Sequence, residues 1–168
     1  DVEKVYRRLL PHHKASSIGI YGCSAGGALT AQTAAWLPRQ GLPQPGAIGI
    51  FGAGGVRFMS GDSAYIAGYI DGSFAPPGHA KGDMTRGYFD GAVMGDPIIS
   101  PALHPDIAAK FPPTLLITGT RAMDMSPAIV TNSALIKARV PSTLIVGEGM
   151  GHCYIYNADL PEARDAHQ

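Results

Sequence analysis

Apolar and polar positions divide the chain into short apolar runs and longer stretches of helical spacing. Residues 2–10 carry Val2, Val5, Tyr6 and Leu9 among charged neighbours, which predicts an amphipathic helix ended by Pro11. Ser17–Tyr21 is a first predicted strand, and its near-continuous apolar character suggests burial on both faces. Ala25–Leu37 is helix-compatible, with an alanine face of Ala28, Ala31, Ala34 and Ala35 for close packing, closed by Pro38 and Gly41. A turn over Pro43–Gly46 leads to a second strand, Ala47–Phe51. Thr114–Thr118 and Thr143–Val146 are the third and fourth. Pro127–Arg139 lies between these two as a helix, with Pro127 in the first turn, where a missing N–H costs nothing. The strand–helix–strand rhythm predicts an α/β fold with a parallel, right-handed sheet.

Residues 57–111 interrupt that rhythm. Two weak helices are expected, Asp62–Ile70 and Thr85–Gly91, among Phe58, Tyr65, Tyr69, Phe74, Tyr88 and Phe89 and the Pro76-Pro77-Gly78-His79 turn. In an enzyme such a segment helps to wall a substrate pocket, although each aromatic taken singly is more often plain packing. The length of 168 residues predicts one domain. The abrupt helical beginning at Asp1 and the helix opening at Pro161 suggest a fragment of a longer chain.

The first strand runs into Gly22-Cys23-Ser24-Ala25-Gly26, a G-x-S-x-G pattern with a strand before it and a helix after it. That context predicts a nucleophile elbow with Ser24 at its apex. Gly22 and Gly26 are expected where strand and helix backbones nearly touch, and the Ala25 N–H is expected to face an oxyanion. The competing reading is a glycine-rich turn that binds phosphate. Gly52-Ala53-Gly54-Gly55 invites a dinucleotide reading, but Arg57 stands where the third glycine would fall. A flexible loop at the carboxyl end of a strand, where α/β sheets bind ligands, accounts for it better.

Charge narrows the partners. The net charge is zero, so nothing points to nucleic acid, and no apolar stretch is long enough to span a bilayer. Cys23 and Cys153 do not make a disulfide framework, a bond between them requires that they lie close, and a reducing, cytoplasmic compartment fits. No His, Cys and Asp cluster has ligand spacing, so no metal or cofactor is expected, and His12 and His13 read as solvated loop residues.

A serine hydroxyl needs a base of near-neutral pKa, and an acid that holds the base in the right tautomer. Ser24 follows strand one, Asp124 follows strand three and His152 follows strand four, so all three fall on one rim of one sheet in the order serine, acid, histidine. Glu148 is a rival acid, in the same loop as His152. His104 is a weaker candidate base, because it precedes a strand. Cys23 is a rival nucleophile one place before the apex, expected to behave instead as a small apolar residue.

Together these residues resemble the hormone-sensitive-lipase-like esterases of the α/β-hydrolase superfamily. The resemblance covers essentially the whole chain. It rests on Gly22-Cys23-Ser24-Ala25-Gly26-Gly27, Asp96-Pro97 with Ser100-Pro101, the run from Pro112 to Arg121, and Glu148-Gly149-Met150-Gly151-His152. It implies an α/β-hydrolase fold and a carboxylester hydrolase for short- to medium-chain acyl esters, with Ser24 as nucleophile and His152 as general base. It also implies homodimers formed through the edge strand Thr143–Val146. The sequence departs from the family at three places. Cys23 stands where an aspartate is usual. Ala122 stands where the family's acid directly follows Gly-Thr-Arg, which leaves Asp124, two positions on, as the candidate. The His-Gly-Gly-Gly oxyanion segment and the strands before the elbow do not occur, so an N-terminal portion of the same protein is expected to supply them. A hydrolase-fold protein that binds ligands or partners without turnover, and an acyltransferase, are the alternatives.

Overall fold

The computed structural model describes residues 1–70 and 89–168. Four parallel strands form one sheet in the order β1-β2-β3-β4: β1 Gly19–Cys23, β2 Ala47–Phe51, β3 Thr114–Gly119 and β4 Ser142–Gly147. The register pairs Cys23 with Phe51, Phe51 with Ile117, and Gly119 with Gly147, so the carboxyl ends of the strands form one rim. Helix α1 spans Val2–Leu9, α2 Ala25–Arg39, α3 Asp62–Ile70, α4 Pro105–Ala108, α5 Met125–Lys137 and α6 Pro161–Asp165.

Side-chain alternation along the strands separates two apolar layers. Ile48, Ile50 and Leu116 point to one face and meet Ala31, Ala34 and Ala35 of α2 and Ala128 and Leu135 of α5. The small alanine face lets α2 lie close against β1 and β2. On the other face, Ile117 packs with Tyr154, Ile155 and Ala163, supported by Phe51, Leu115 and Ile145. Leu116 and Leu135 are fully buried, so truncation of either to alanine costs about 2–5 kcal/mol. At the amino end, Tyr6 anchors α1 through a hydrogen bond to the Pro43 carbonyl at 3.1 Å.

The structure corrects several expectations. The first strand begins two residues later than the apolar run suggests, because Ala15–Ser17 form a 3-10 turn. It is not buried on both faces: β1 lies at one margin of the sheet among the described residues, and Tyr21 is 72% exposed. Helix α2 continues through Pro38, and the Ala34 carbonyl that proline leaves without its helical donor accepts the Gln44 Nε2–H at 2.7 Å. Helix α5 starts at Met125, before Pro127. Residues 52–55 do not form an open ligand loop. They are buried against α5, where Gly55 N–H donates to Thr131 Oγ1 at 2.8 Å and a Cβ on Gly54 would meet the Pro127 carbonyl. The helix expected over Thr85–Gly91 lies mostly outside the described residues, as do Phe74, Pro76-Pro77-Gly78-His79 and Tyr88.

Candidate active site

Ser24 occupies the turn between β1 and α2 with φ 60° and ψ −123°, a conformation that an L-residue holds only when its surroundings fix it. Those surroundings are backbone hydrogen bonds from Ser24 N to Phe51 O at 2.9 Å and from Ala28 N to Ser24 O at 3.0 Å. A Cβ on Gly22 would lie 2.6 Å from the Gly26 carbonyl, so strand and helix approach as closely there as the elbow requires. The second bare position is Gly27, not Gly26. A Cβ on Gly27 would lie 2.6 Å from Phe51 O, whereas one on Gly26 would meet nothing.

The Ser24 side chain makes no capping bond to its own helix. Its Oγ lies 2.9 Å from His152 Nε2. His152 Nδ1 lies 2.6 Å from Asp124 Oδ1, and Thr118 Oγ1 donates to Asp124 Oδ2 at 2.6 Å. Asp124 is 0% exposed, so both of its oxygens take a partner inside the protein, as burial of a carboxylate demands. A carboxylate accepts only, so Nδ1 carries the imidazole proton and Nε2 is left to accept from the Ser24 hydroxyl. The Phe58 ring stands edge-on to the imidazole at 6.2 Å between centroids.

The loops after β1, β3 and β4 thus bring Ser24, Asp124 and His152 into one hydrogen-bonded chain. Ala122 is buried two residues before Asp124 and contributes no carboxylate. Glu148 is exposed, while Asp124 occupies Nδ1. His104 Nε2 is engaged with the Gly95 carbonyl at 2.8 Å, away from Ser24. His12 and His13 are exposed in the connector after α1. Cys23 is not a free apolar residue: it is disulfide-bonded to Cys153, which removes it as a nucleophile in this state. Sequence reasoning missed Thr118. Its signal was a hydroxyl at the end of the apolar run Leu115-Leu116-Ile117, a buried donor that needed a partner.

A cleft of about 490 Å³ opens beside Ser24. Ala28 and Leu29 of α2, Val56, Phe58, Met94 and Ile99 give it an apolar wall. Of the expected pocket aromatics, Phe58 and Phe89 line it, whereas Tyr65 and Tyr69 project into solvent from α3. Among the described residues, no group of three His, Cys, Asp or Glu could hold a metal ion, and no helix is long and apolar enough to cross a membrane.

A family model described as alpha/beta hydrolase fold matches residues 1–156. The chain belongs to that family. No curated protein matches the sequence. Among solved structures, this α/β hydrolase is similar to an esterase/lipase from an uncultured bacterium, at 27% identity and a TM-score of 0.81, covering 96% of this chain and 53% of that one. It is similar to esterase E25, at 32% identity and a TM-score of 0.82, covering 98% and 50%. It is also similar to an esterase of the bacterial hormone-sensitive lipase family, at 26% identity and a TM-score of 0.83, covering 99% and 55%. The chain therefore spans about half the length of the esterases it resembles.

Proposed function

We propose that the protein is a serine carboxylester hydrolase of the hormone-sensitive-lipase-like type, acting on short- to medium-chain acyl esters. The observation that carries this reading is the unbroken chain from Ser24 Oγ through both ring nitrogens of His152 to a buried Asp124. In this mechanism His152 Nε2 takes the hydroxyl proton as Ser24 attacks the acyl carbon, and Asp124 holds Nδ1–H and stabilises the imidazolium. The Ala25 N–H, at the positive end of α2, faces the developing oxyanion. Collapse expels the alcohol with the proton from Nε2. Water, activated by the same nitrogen, then releases the acid. The apolar cleft beside Ser24 is within the size range of small-ligand sites and suits an uncharged acyl chain.

Two expectations about assembly belong to the same proposal. The intact protein supplies a second oxyanion donor from an N-terminal portion, because one missing donor costs about 10²–10³ in kcat. Two copies pair through β4, whose outer edge has no partner strand among the described residues. The pairing of Cys23 with Cys153 removes the cysteine argument for a cytoplasmic location. The test is incubation with an organophosphonate ester, followed by rates for p-nitrophenyl esters of increasing acyl length. A mass increment on Ser24 and a fall in kcat/KM beyond medium chains are expected. An unlabelled, folded protein would favour ligand binding without turnover. Acyl transfer to an added alcohol in preference to water would favour the acyltransferase.

A further inference from the structure

The nucleophile and the base follow strands that lie at opposite margins of the sheet among the described residues, and their loops converge above it. Ser24 follows β1 and His152 follows β4, with β2 and β3 between them. The residues that immediately adjoin these two, Cys23 and Cys153, are joined by a disulfide across 130 residues of sequence, with their Cα atoms 6.2 Å apart. We propose that this disulfide positions the Ser24–His152 pair and places its reactivity under redox control; the inference rests on the serine-hydrolase reading above.

Three features of the surroundings support it. First, both ends of the bond abut unusual backbone: Ser24 has φ 60° and Cys153 φ 55°. A covalent tie between these segments helps to hold conformations that side-chain packing alone must otherwise enforce. Second, the end of β2 is bare where the bond passes. A Cβ on Gly52 would lie 2.8 Å from Cys153 Sγ, 2.9 Å from Cys23 Sγ and 3.2 Å from His152 Cε1. Gly52 itself has φ +54°, so the strand end turns away just where sulfurs and imidazole need room. Third, Cys153 Sγ lies 3.6 Å from His152 Nε2, the nitrogen that faces Ser24 Oγ at 2.9 Å.

The third feature gives the bond a chemical consequence beyond geometry. A disulfide sulfur has neither a proton nor a charge, so it leaves Nε2 to the serine. A free thiol at the same place can donate its proton to Nε2, and a thiolate can pair with the protonated ring. Either state engages the base that Ser24 needs. Reduction therefore loosens the alignment of the pair and introduces a competitor for it. The reaction is an ordinary exchange with a dithiol. A thiolate of the reductant attacks one sulfur, the Cys23–Cys153 bond breaks with the other cysteine leaving as a thiolate, and the reductant's second thiol then displaces the attacked cysteine from the mixed disulfide. Two electrons and two protons pass to the protein, and the reductant leaves as a disulfide. Cys23 and Cys153 are both partly exposed, so a small dithiol can reach them.

The experiment uses the full-length protein with p-nitrophenyl butyrate as substrate, before and after dithiothreitol, with thiols counted by a chromogenic reagent and folding followed by circular dichroism. Misplacement of catalytic groups by about 1 Å can cost 10²-fold, so kcat is expected to fall about 10- to 100-fold on reduction, with KM nearly constant and full recovery on reoxidation. The Cys23→Ala/Cys153→Ala variant, which lacks both the tie and the competing thiol, is expected to keep a lowered kcat that dithiothreitol no longer changes. The proposal is overturned if the reduced, folded protein retains its kcat, if the loss only tracks unfolding, or if the double variant is as fast as the oxidised protein. If the oxidised protein neither hydrolyses ester nor takes phosphonate on Ser24, the hydrolase reading fails instead.

Discussion

Asp124→Asn tests the least expected part of the site, an acid two residues beyond the place the family usually gives it. The carboxylate accepts from Thr118 Oγ1 at Oδ2 and meets His152 Nδ1 at Oδ1, both at 2.6 Å, with no exposure to solvent. An amide offers one acceptor and one donor. If its oxygen keeps the Thr118 hydroxyl, its NH₂ faces Nδ1, and the imidazole must carry its proton on Nε2. That nitrogen then cannot take the proton of Ser24. In a comparable serine enzyme the same change lowers kcat about 10⁴-fold, or roughly 5.4 kcal/mol of transition-state stabilisation. The shape of the side chain is conserved, so binding of the ester in the cleft beside Ser24 is expected to be little altered. The assay is kcat and KM for p-nitrophenyl butyrate, together with the rate of organophosphonate labelling, on protein whose circular dichroism matches the wild type. A variant within about tenfold of wild-type kcat would refute the role given to Asp124.

Other consequences follow from the same geometry. Thr118→Val removes one donor from a buried carboxylate; it is expected to cost about 1–3 kcal/mol in thermal or denaturant unfolding and to lower kcat by less than Asp124→Asn does. Gly22→Ala places a Cβ 2.6 Å from the Gly26 carbonyl, so it is expected to destabilise the protein by about 1–3 kcal/mol and to lower kcat with little change in KM. Glu3 is held below the ordinary carboxylate value of 4.5 by hydrogen bonds from the Trp36 indole and from Arg7. Its contribution to stability is therefore present above the unfolded value and is lost as pH falls through the lowered folded one. Trp36 is the chain's only tryptophan, so its emission is expected to show a transition below pH 4.5 that Glu3→Gln abolishes.

Much of this fold was legible because apolar runs and helical spacing alternate so regularly. Ala47–Phe51 is a strand with the bounds its pattern implied, and Asp62–Ile70 is the helix expected there. The errors have physical causes. Ser17 and Ile18 look like strand, but the 3-10 turn at Ala15–Ser17 uses that backbone first. The pattern G-x-S-x-G draws attention to Gly26, yet the crowded position is Gly27, because the helix turns its next residue toward Phe51 and Ala53. The glycines at 52–55 read as a flexible loop, although packing against Pro127 and Thr131 fixes them. At the site, the order of Ser24, Asp124 and His152 along the chain was enough to place all three on the rim. Thr118 and the cysteine pairing were not legible, since each depends on which strands become neighbours across long stretches of sequence.

The most direct measurement is peptide mapping of the full-length protein after an organophosphonate ester, with His152→Ala treated in parallel. One phosphonyl group on Ser24, formed far more slowly when the imidazole is absent, is the predicted result. Modification at another residue, or an equal rate without His152, would contradict the hydrogen-bonded chain as the source of reactivity.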